Sequence, residues 1–357
     1  MTYQSPSKHA GLPVGSSPKK VLVIDDSPSI RSMLRLALNN DPRLTVVGEA
    51  DDAYDAREKI KALSPDVITL DIEMPRMSGL EFLDRLMRLR PMPVVMFSSL
   101  TQKGSDSAVR SLSLGAIDCI GKPQHGFNEE LLSDLCERVY SASVSVSRPV
   151  SPEKNVDQNK LANRRWTKKA ILVGASTGGV AAVEVFLKGL PVDCPPVVVS
   201  QHMPASFLES FSVRLNQILK QDVVLATDGA PLNFGQVLIA PGGDYHCGIK
   251  NSSGQLQCKI WKGPKREGHR PSVDEMFLTA ENDAQDVIAV LLTGLGKDGA
   301  AEMKNLHDKG AFCIAQDEAS SVVYGMPKVA FKLGGVHEVL PLDDIAITIC
   351  NKYSSGR

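Results

Sequence analysis

The sequence predicts two α/β domains in tandem, each built on a doubly wound, mostly parallel sheet with flanking helices. Its length of 357 residues corresponds to about two domains of roughly 150 residues each. Short apolar runs alternate with helical patterns in both halves, as in parallel βαβ units. A Ser-, Lys- and Arg-rich stretch with two prolines separates the halves and is typical of a linker. We therefore expect a flexible tail at 1–18, a first domain at 19–138, a linker at 139–167 and a second domain at 168–357.

The composition limits the classes of protein to consider. Forty Lys and Arg against 41 Asp and Glu leave a net charge of -1, which is not the basic footprint of a nucleic-acid-binding protein. Seven cysteines without a C-x-x-C pair argue against structural zinc and against a disulfide framework. The N-terminus lacks an apolar secretory stretch, and no segment is apolar enough for membrane insertion. We expect a cytoplasmic globular protein.

The expected strands are the short apolar runs of the two halves. In the first half they are VLVID, LTVVGEA, DVITLD, PVVMFSS and AIDCIGKP. In the second half they are KAILVGAS, PPVVVSQH, GQVLIAPGG, DVIAVLLTG and AFCIAQD. Helical patterns in the second half predict helices near 179–189, 206–219, 273–282, 299–309 and 326–333.

Acidic residues end two strands of the first half. Asp25 and Asp26 end the first strand, and Asp71 ends the third. The carboxyl ends of parallel strands meet at one edge of a sheet, and clustered carboxylates suit Mg²⁺, which also ligates phosphoryl groups. Ser98 and Lys122 follow later strands, within reach of phosphoryl oxygens. The alternative for each aspartate is a helix N-cap.

The motifs VLVIDDSPSIR, DIEMPRMSG, FSS and GKP resemble the response-regulator receiver domain, a flavodoxin-like fold with a five-stranded parallel sheet. The resemblance implies that a partner histidine kinase phosphorylates Asp71. It also implies that Asp25, Asp26 and Asp71, together with the backbone carbonyl of Glu73, hold Mg²⁺.

The same resemblance assigns a phosphate switch. Ser98 would be the switch hydroxyl, and Lys122 the phosphate-binding lysine. Cys119 stands three residues before this lysine, where receivers commonly carry an aromatic side chain that changes rotamer on phosphorylation.

A glycine-rich turn opens the second half. KKAILVGASTGGVAAVEVFLKGL predicts a buried strand, a tight turn and a helix, and Gly174 to Gly178 fit G-x-S-x-G. Ser176 is the candidate nucleophile, because the helix N-terminus that follows it presents amides to a developing oxyanion. The alternative is a dinucleotide-binding turn, but Ser176 stands where that fingerprint requires its second glycine.

A base and an acid follow neighbouring strands. His202 comes directly after PPVVVSQ, and Asp298 lies in the glycine-flanked loop after DVIAVLLTG, so both are expected beside Ser176. Each has a simpler reading, His202 as a rim residue and Asp298 as a helix N-cap. The order Ser, Asp, His of conventional α/β-hydrolases would instead require His307 or His337.

GASTGG, QHMP, HRPSVD and TGLGKDGA together resemble the catalytic domain of the chemotaxis-type protein-glutamate methylesterases, the CheB family, which has a Rossmann-like α/β fold. This resemblance implies that Ser176 is the nucleophile, His202 the general base and Asp298 its orienting partner, with no cofactor for the hydrolase. The backbone amides of Thr177 and Leu295 would form the oxyanion hole. Many members have Met where this chain has Leu295.

The two resemblances together imply a phosphorylation-activated hydrolase that removes methyl groups from glutamate γ-methyl esters on chemoreceptors and deamidates receptor glutamines. Two other functions remain open from the residues. One is a receiver-controlled adaptor in which the Ser176 turn is only architectural. The other is a DNA-binding response regulator, although the second half shows no helix-turn-helix pattern.

Overall fold

The computed structural model describes residues 17–122, 128–145 and 165–355. Most of the predicted tail and the centre of the predicted linker lie outside these ranges, as do His9 and His125. The chain divides into two compact α/β units, each described here by itself.

The first unit contains a five-stranded, all-parallel sheet in the order β2-β1-β3-β4-β5, which confirms the predicted fold. Its strands are β1 (Lys19–Ile24), β2 (Leu44–Ala50), β3 (Val67–Asp71), β4 (Val94–Ser98) and β5 (Asp118–Gly121). Its helices are α1 (Pro28–Asn39), α2 (Ala53–Leu63), α3 (Gly79–Leu89) and α5 (Glu129–Val144), whereas α4 (Gln102–Ser113), which follows β4 along the chain, is grouped with the second unit. The strands alternate with helices throughout, as right-handed parallel connections require.

The central strands β3 and β4 are buried along their whole length, as expected for strands covered on both faces. Helix α3 starts close to the carboxyl end of β3, where the Gly79 amide donates a hydrogen bond of 2.9 Å to the Ile72 carbonyl. A β-carbon on Gly79 would overlap the Asp71 carbonyl oxygen. Glycine is therefore required for this close approach, which encloses the end of β3.

Two described elements fall within the predicted linker at 139–167. Helix α5 continues to Val144, six residues beyond the expected domain end at 138. A short strand, β6 (Arg165–Trp166), lies in the last part of the predicted linker and pairs antiparallel with β16 (Ser354–Ser355). Both differences arise because helix extension and long-range strand pairing leave little local signal in a polar segment.

The second unit contains a seven-stranded parallel sheet in the order β15-β14-β13-β7-β8-β10-β9. Its strands are β7 (Ala170–Ala175), β8 (Val197–Gln201), β9 (Asp222–Leu225), β10 (Gln236–Ile239), β13 (Val287–Leu291), β14 (Phe312–Gln316) and β15 (Glu338–Leu340). Its helices are α6 (Gly179–Gly189), α7 (Ala205–Ile218), α8 (Val273–Thr279), α9 (Ala300–Asp308), α10 (Met326–Lys332) and α11 (Leu342–Tyr353). The doubly wound fold predicted for this half is confirmed.

Several elements of the second unit were not predicted. An antiparallel hairpin, β11 (Tyr245–Ser252) and β12 (Gln255–Lys262), stands apart from the large sheet. Strands β9 and β15 are short and half exposed, and helix α11 follows the last predicted helix. The helix expected at 273–282 is split, because α8 ends at Thr279 and a 3₁₀ helix, Glu281–Asp286, follows it.

The centre of the large sheet contains a topological switch point. The chain leaves β7 toward β8 on one side, and it returns later to β13 on the other side. Ligands of doubly wound folds bind where the strand order reverses, at the carboxyl ends of the strands. Among the described residues, no helix has the length and apolar character needed to span a lipid bilayer.

Candidate functional site

The first candidate site is an acidic cluster at the carboxyl edge of the five-stranded sheet. Asp25 and Asp71 are buried, Asp26 is exposed, and one carboxylate oxygen from each lies within 4.8 Å of the others. The prediction that these three carboxylates meet is therefore confirmed. Their proximity follows from β1 and β3 being adjacent parallel strands.

Lys122 lies against this cluster. Its Nζ is 2.7 Å from Asp71 Oδ2 and 3.2 Å from Asp25 Oδ2. Burial raises the pKa of the Asp71 carboxyl to about 6, the nearby charge of Asp25 adds to the rise, and the hydrogen bond from Lys122 opposes it. The ionised form of Asp71 is thus disfavoured by burial at this site, even with the lysine in place.

The oxygen atoms of this cluster fit a divalent cation. Asp25 and Asp71 are both buried, and they share one ammonium group, because Lys122 Nζ is 3.2 Å from Asp25 Oδ2 and 2.7 Å from Asp71 Oδ2. The Glu73 amide lies 3.3 Å from Asp71 Oδ1, so the Glu73 backbone borders the cluster. Hard carboxylate and carbonyl oxygens are the donors that Mg²⁺ prefers.

The two predicted switch residues are adjacent in space. Ser98 is buried at the end of β4 and pairs with Gly121, and its carbonyl accepts the Lys122 amide at 2.7 Å. The Ser98 hydroxyl donates to the Ser99 carbonyl at 3.3 Å. Cys119 is buried within β5.

Sequence reasoning missed one residue at this site. Arg31 on α1 donates hydrogen bonds from Nη1 to the carbonyl oxygens of Asp25 and Asp26, at 2.7 and 3.1 Å. These bonds hold the backbone that carries the acidic pair. Its position one turn into the helix after the Asp pair was the available signal, but a helical arginine is ordinarily read as solvated.

The second candidate site begins at the turn between β7 and α6. Ser176 follows the last residue of β7, its amide donates to the Thr293 carbonyl at 3.0 Å, and its carbonyl accepts the Gly179 amide at 2.7 Å. Gly178 has a left-handed φ of +76°, and a β-carbon there would lie 2.6 Å from Val322 Cβ. Glycine at this position lets the chain turn tightly from strand to helix beside Ser176.

His202 occupies the equivalent place on the neighbouring strand. Ala175 and Gln201 are register partners in β7 and β8, and the His202 amide donates to the Ala175 carbonyl at 3.1 Å. Ser176 and His202 therefore follow two paired strand ends at the same edge of the sheet. The side-chain amide of Gln201 donates a hydrogen bond of 2.9 Å to the Ser176 carbonyl and so stabilises the turn.

Asp298 contacts His202 directly. His202 Nε2 lies 2.8 Å from Asp298 Oδ2. The carboxylate also accepts hydrogen bonds from the Ser272 hydroxyl at 2.8 Å and from the amides of Val273 and Asp274 at 2.7 and 3.1 Å. Asp298 is thus held at the N-terminus of α8, where unpaired amides favour a negative charge.

The electrostatics of this pair keep Asp298 ionised. Burial alone raises the pKa of its carboxyl, but the hydrogen bond and charge of His202, with the amides of Val273 and Asp274, lower that pKa below its usual range. With Nε2 bonded to the carboxylate, His202 Nδ1 is the other ring nitrogen, and it is buried without a hydrogen-bond partner among the described residues. The described side chains of Ser176 and His202 form no hydrogen bond with each other.

The HRPSVD motif supplies two neighbours that were not assigned a role from sequence. The His269 ring stacks on the His202 ring with centroids 3.8 Å apart and planes 10° apart. Ser272 both caps α8, by accepting the Glu275 amide, and binds Asp298. The S-x-x-E spacing of Ser272 and Glu275 predicts a capping box, but no local pattern predicts the contact between Ser272 and Asp298.

The two predicted oxyanion residues lie in the serine turn and in the loop after β13. Thr177 is buried within it. Leu295 is half-buried and follows Gly294, where a β-carbon would lie 2.8 Å from Ser176 Cβ. The loop that carries Leu295 therefore packs directly on the serine.

The conventional triad order is disfavoured by the positions of the other histidines. The rings of His307 and His337 contact each other at a tilt of 39°, with centroids 4.2 Å apart. His337 Nδ1 accepts the amide of Cys313 near the amino end of β14, whereas Ser176 follows the carboxyl end of β7. These two histidines lie at the opposite edge of the sheet from the candidate nucleophile.

The fold and the two sites define a class of two-unit α/β proteins. One unit has a five-stranded parallel sheet with an acidic cluster at its carboxyl edge. The other is doubly wound and has a serine turn beside a His-Asp pair. Residues 21–135 match the family model of the response regulator receiver domain, and residues 171–349 match that of the CheB methylesterase. The chain belongs to the CheB methylesterase family.

Individual relatives agree with this assignment. A protein-glutamate methylesterase/protein-glutamine glutaminase of Agrobacterium fabrum is 45% identical over 332 residues, which cover 91% of this chain and 94% of that protein. Protein-glutamate methylesterase/protein-glutamine glutaminase 1 of Caulobacter vibrioides is 44% identical over 343 residues and covers 95% of this chain and 99% of its own length. The crystal structure of the Thermotoga maritima CheB methylesterase catalytic domain is similar with a TM-score of 0.50 at 36% identity, covering 52% of this chain and 98% of that one.

Proposed function

We propose that this protein is a phosphorylation-activated hydrolase that converts glutamate γ-methyl esters on chemoreceptors to glutamate and deamidates receptor glutamines. The observation that carries the proposal is the His202–Asp298 contact of 2.8 Å, placed by adjacent strand ends beside Ser176. Family membership and the names of the relatives supply the substrate class.

Ser176 performs the first step as nucleophile. Its Oγ attacks the γ-carbonyl carbon of the substrate, His202 Nδ1 takes the hydroxyl proton, and the charge of Asp298 stabilises the imidazolium that forms. The amides of Thr177 and Leu295 donate to the oxyanion. The proton then passes to the leaving group, which departs as methanol from an ester or as ammonia from an amide.

Water completes the reaction by attacking the acyl-enzyme. His202 takes a proton from the water, and the proton returns to Ser176 Oγ as the acyl–oxygen bond breaks. The net reaction consumes one ester or amide group and one water, and it yields the receptor glutamate with methanol or ammonia while the enzyme is regenerated. Because the Asp298 carboxylate remains ionised, the same residue set serves both half-reactions.

The acidic cluster of the first unit is the proposed phosphorylation site. Asp71 accepts the phosphoryl group from a histidine kinase in the cytoplasm, and Asp25, Asp26, Asp71 and the Glu73 carbonyl would hold Mg²⁺. When bound, the ion neutralises phosphoryl oxygens during transfer. Lys122, which pairs with Asp71 here, then binds a phosphoryl oxygen together with the Ser98 hydroxyl.

Asp71→Ala is expected to abolish stimulation of methanol release by a small-molecule phosphodonor, while the basal rate persists. The reason is that the variant lacks the only oxygen atoms that the proposal assigns to the phosphoryl group. The assay is methanol release from methylated chemoreceptor membranes with and without phosphodonor and Mg²⁺. Asp66→Ala should respond like wild type. It removes a carboxylate next to the amino end of β3, which accepts a hydrogen bond from the Lys20 amide. Stimulation that survives Asp71→Ala would refute this assignment.

Removal of divalent cations is expected to abolish the stimulation of methanol release by phosphodonor without changing the basal rate. In excess EDTA, phosphodonor stimulation should vanish because the acidic cluster lacks its counter-ion, and the basal rate should remain because the Ser-His-Asp chemistry uses no metal. Added Mg²⁺ should restore the stimulated rate. A basal rate that also falls to zero in EDTA, and returns with Mg²⁺, would contradict the proposed hydrolase chemistry.

A further inference from the structure

Thr293 occupies the loop directly after β13 and is almost completely buried. Sequence reasoning gave this residue no role, although it opens the TGLGKDGA motif. Its contacts reach the serine turn, the loop that carries Leu295 and a third loop after β14. The structure thus places one side chain at the junction of all the segments that form the proposed oxyanion hole.

Thr293 forms two hydrogen bonds with the backbone of the serine turn, one with Ser176 and one with Thr177. Its carbonyl accepts the Ser176 amide at 3.0 Å. Its hydroxyl Oγ1 lies 3.0 Å from the Thr177 carbonyl. The first bond fixes the turn at the nucleophile, and the second fixes it one residue later.

The same hydroxyl also binds the loop after β14. The Val323 amide donates to Thr293 Oγ1 at 2.9 Å, and the Val323 carbonyl is a second possible acceptor at 3.2 Å. The Thr293 amide donates to Gln316 Oε1 at 2.8 Å. Each polar group of this residue is therefore satisfied, and the network leaves little freedom in a buried site.

The position of Leu295 depends on this anchor. Leu295 follows Thr293 by two residues, and a β-carbon on Gly294 between them would lie 2.3 Å from the Met326 sulfur and 2.8 Å from Ser176 Cβ. The Gly294 amide donates to the Val323 carbonyl at 3.0 Å. The hydroxyl of Thr293 therefore ties together the loop of one proposed oxyanion donor and the turn of the other.

We infer that Thr293 is a positioning residue that holds the Thr177 and Leu295 amides at the separation needed to bind the oxyanion. The inference rests on the proposed function, because it assigns Thr293 a task within that reaction. Two donors stabilise the transition state only when both are within hydrogen-bond distance of the same oxygen. A displacement of about 1 Å can cost on the order of a hundredfold in rate.

Thr293→Val tests the inference with an isosteric side chain that lacks the hydroxyl. We expect kcat for methanol release to fall by about 10- to 100-fold with little change in KM, because the lost contacts matter most in the transition state. The rate at which a fluorophosphonate reagent labels Ser176 should fall in parallel, since that reaction also builds negative charge in the oxyanion hole. The pH midpoint of kcat/KM should not move, because the His202–Asp298 pair is untouched.

Two variants serve as controls. Thr293→Ser keeps the hydroxyl and should restore at least most of the rate. Thr279→Val removes a matched hydroxyl from the same unit, which accepts the Ile249 amide and donates to the Met276 carbonyl. It should lower the thermal midpoint to a similar extent as Thr293→Val but leave kcat unchanged.

The outcomes separate cleanly. A folded Thr293→Val protein with wild-type kcat and labelling rate would overturn the inference, as would a serine variant as slow as the valine variant or an equal kcat loss in Thr279→Val. If the valine variant does not fold, Thr293→Ala gives the same comparison without a methyl group against the Val323 amide. Absence of methanol release from wild type would refute the proposed function alone, because the labelling rates of Ser176 would still test Thr293.

Discussion

Ser176→Ala is expected to lower kcat for methanol release by on the order of a thousandfold or more. The alanine variant lacks the atom that forms the acyl-enzyme, so only the oxyanion donors and substrate binding remain to accelerate direct attack by water. KM should change little, because the hydroxyl is a small part of the surface that meets the receptor. Ser176 lies at a strand-to-helix turn whose backbone bonds do not use its side chain, so the fold should be preserved.

The measurement is methanol release from methylated receptor membranes, with thermal melting as the check on folding. Ser200→Ala is the matched control, because Ser200 is buried on the adjacent strand β8 and its Oγ has no hydrogen-bond partner in the described ranges. It should retain wild-type kcat. If Ser176→Ala were as active as wild type, the serine turn would be architectural. If wild type released no methanol from receptors of its own organism, a receiver-controlled adaptor would replace the hydrolase.

Asp298→Asn is expected to lower kcat by on the order of 10³- to 10⁴-fold. An asparagine amide cannot stabilise the imidazolium of His202 by its charge, and its NH₂ group would donate where two oxygens now accept four hydrogen bonds. The variant should therefore also lose stability, because an amide donor would face the donors at the start of α8.

Asp274→Asn separates the catalytic effect from the structural one. Asp274 is a buried carboxyl on the same first turn of α8; burial raises its pKa to about 6, and it accepts the Glu302 amide at 3.0 Å. The asparagine variant keeps an oxygen that can accept the Glu302 amide, and it should lose far less kcat than Asp298→Asn, because its side chain does not touch His202. Equal losses of kcat in the two variants would show that α8, rather than the charge of Asp298, controls the rate.

Local patterns were sufficient to predict several site residues and their neighbourhoods. Asp71 ends a strand, and Asp25, Ser176 and His202 each directly follow one, so the parallel sheet alone brings each to the carboxyl edge of its unit. The acidic cluster was confirmed in this way. The roles of Ser176, His202 and Asp298 in catalysis stay predictions, although the geometry supports them.

Other site residues left no readable local signal. The stacking of His269 on His202, the bonds of Arg31 to the Asp25 and Asp26 carbonyls, and the contacts of Thr293 depend on how loops cross the sheet edge. The hairpin β11–β12 was missed for a related reason, since Gly248 and polar residues interrupt its apolar alternation and its inner face packs on α8.

The sequence by itself determined the two α/β units, the family and the strand ends on which the candidate groups lie. Parallel strands that are covered on both faces appear in the sequence as short continuous apolar runs, and these can be recognised locally. Only the tertiary structure decided which groups touch. Asp298 meets His202 across 96 residues of sequence, and Thr293 meets Thr177 across 116. Such contacts depend on the order of strands in the sheet and on the loops at its edge, where side chains from separate βα segments converge, and no local pattern encodes them.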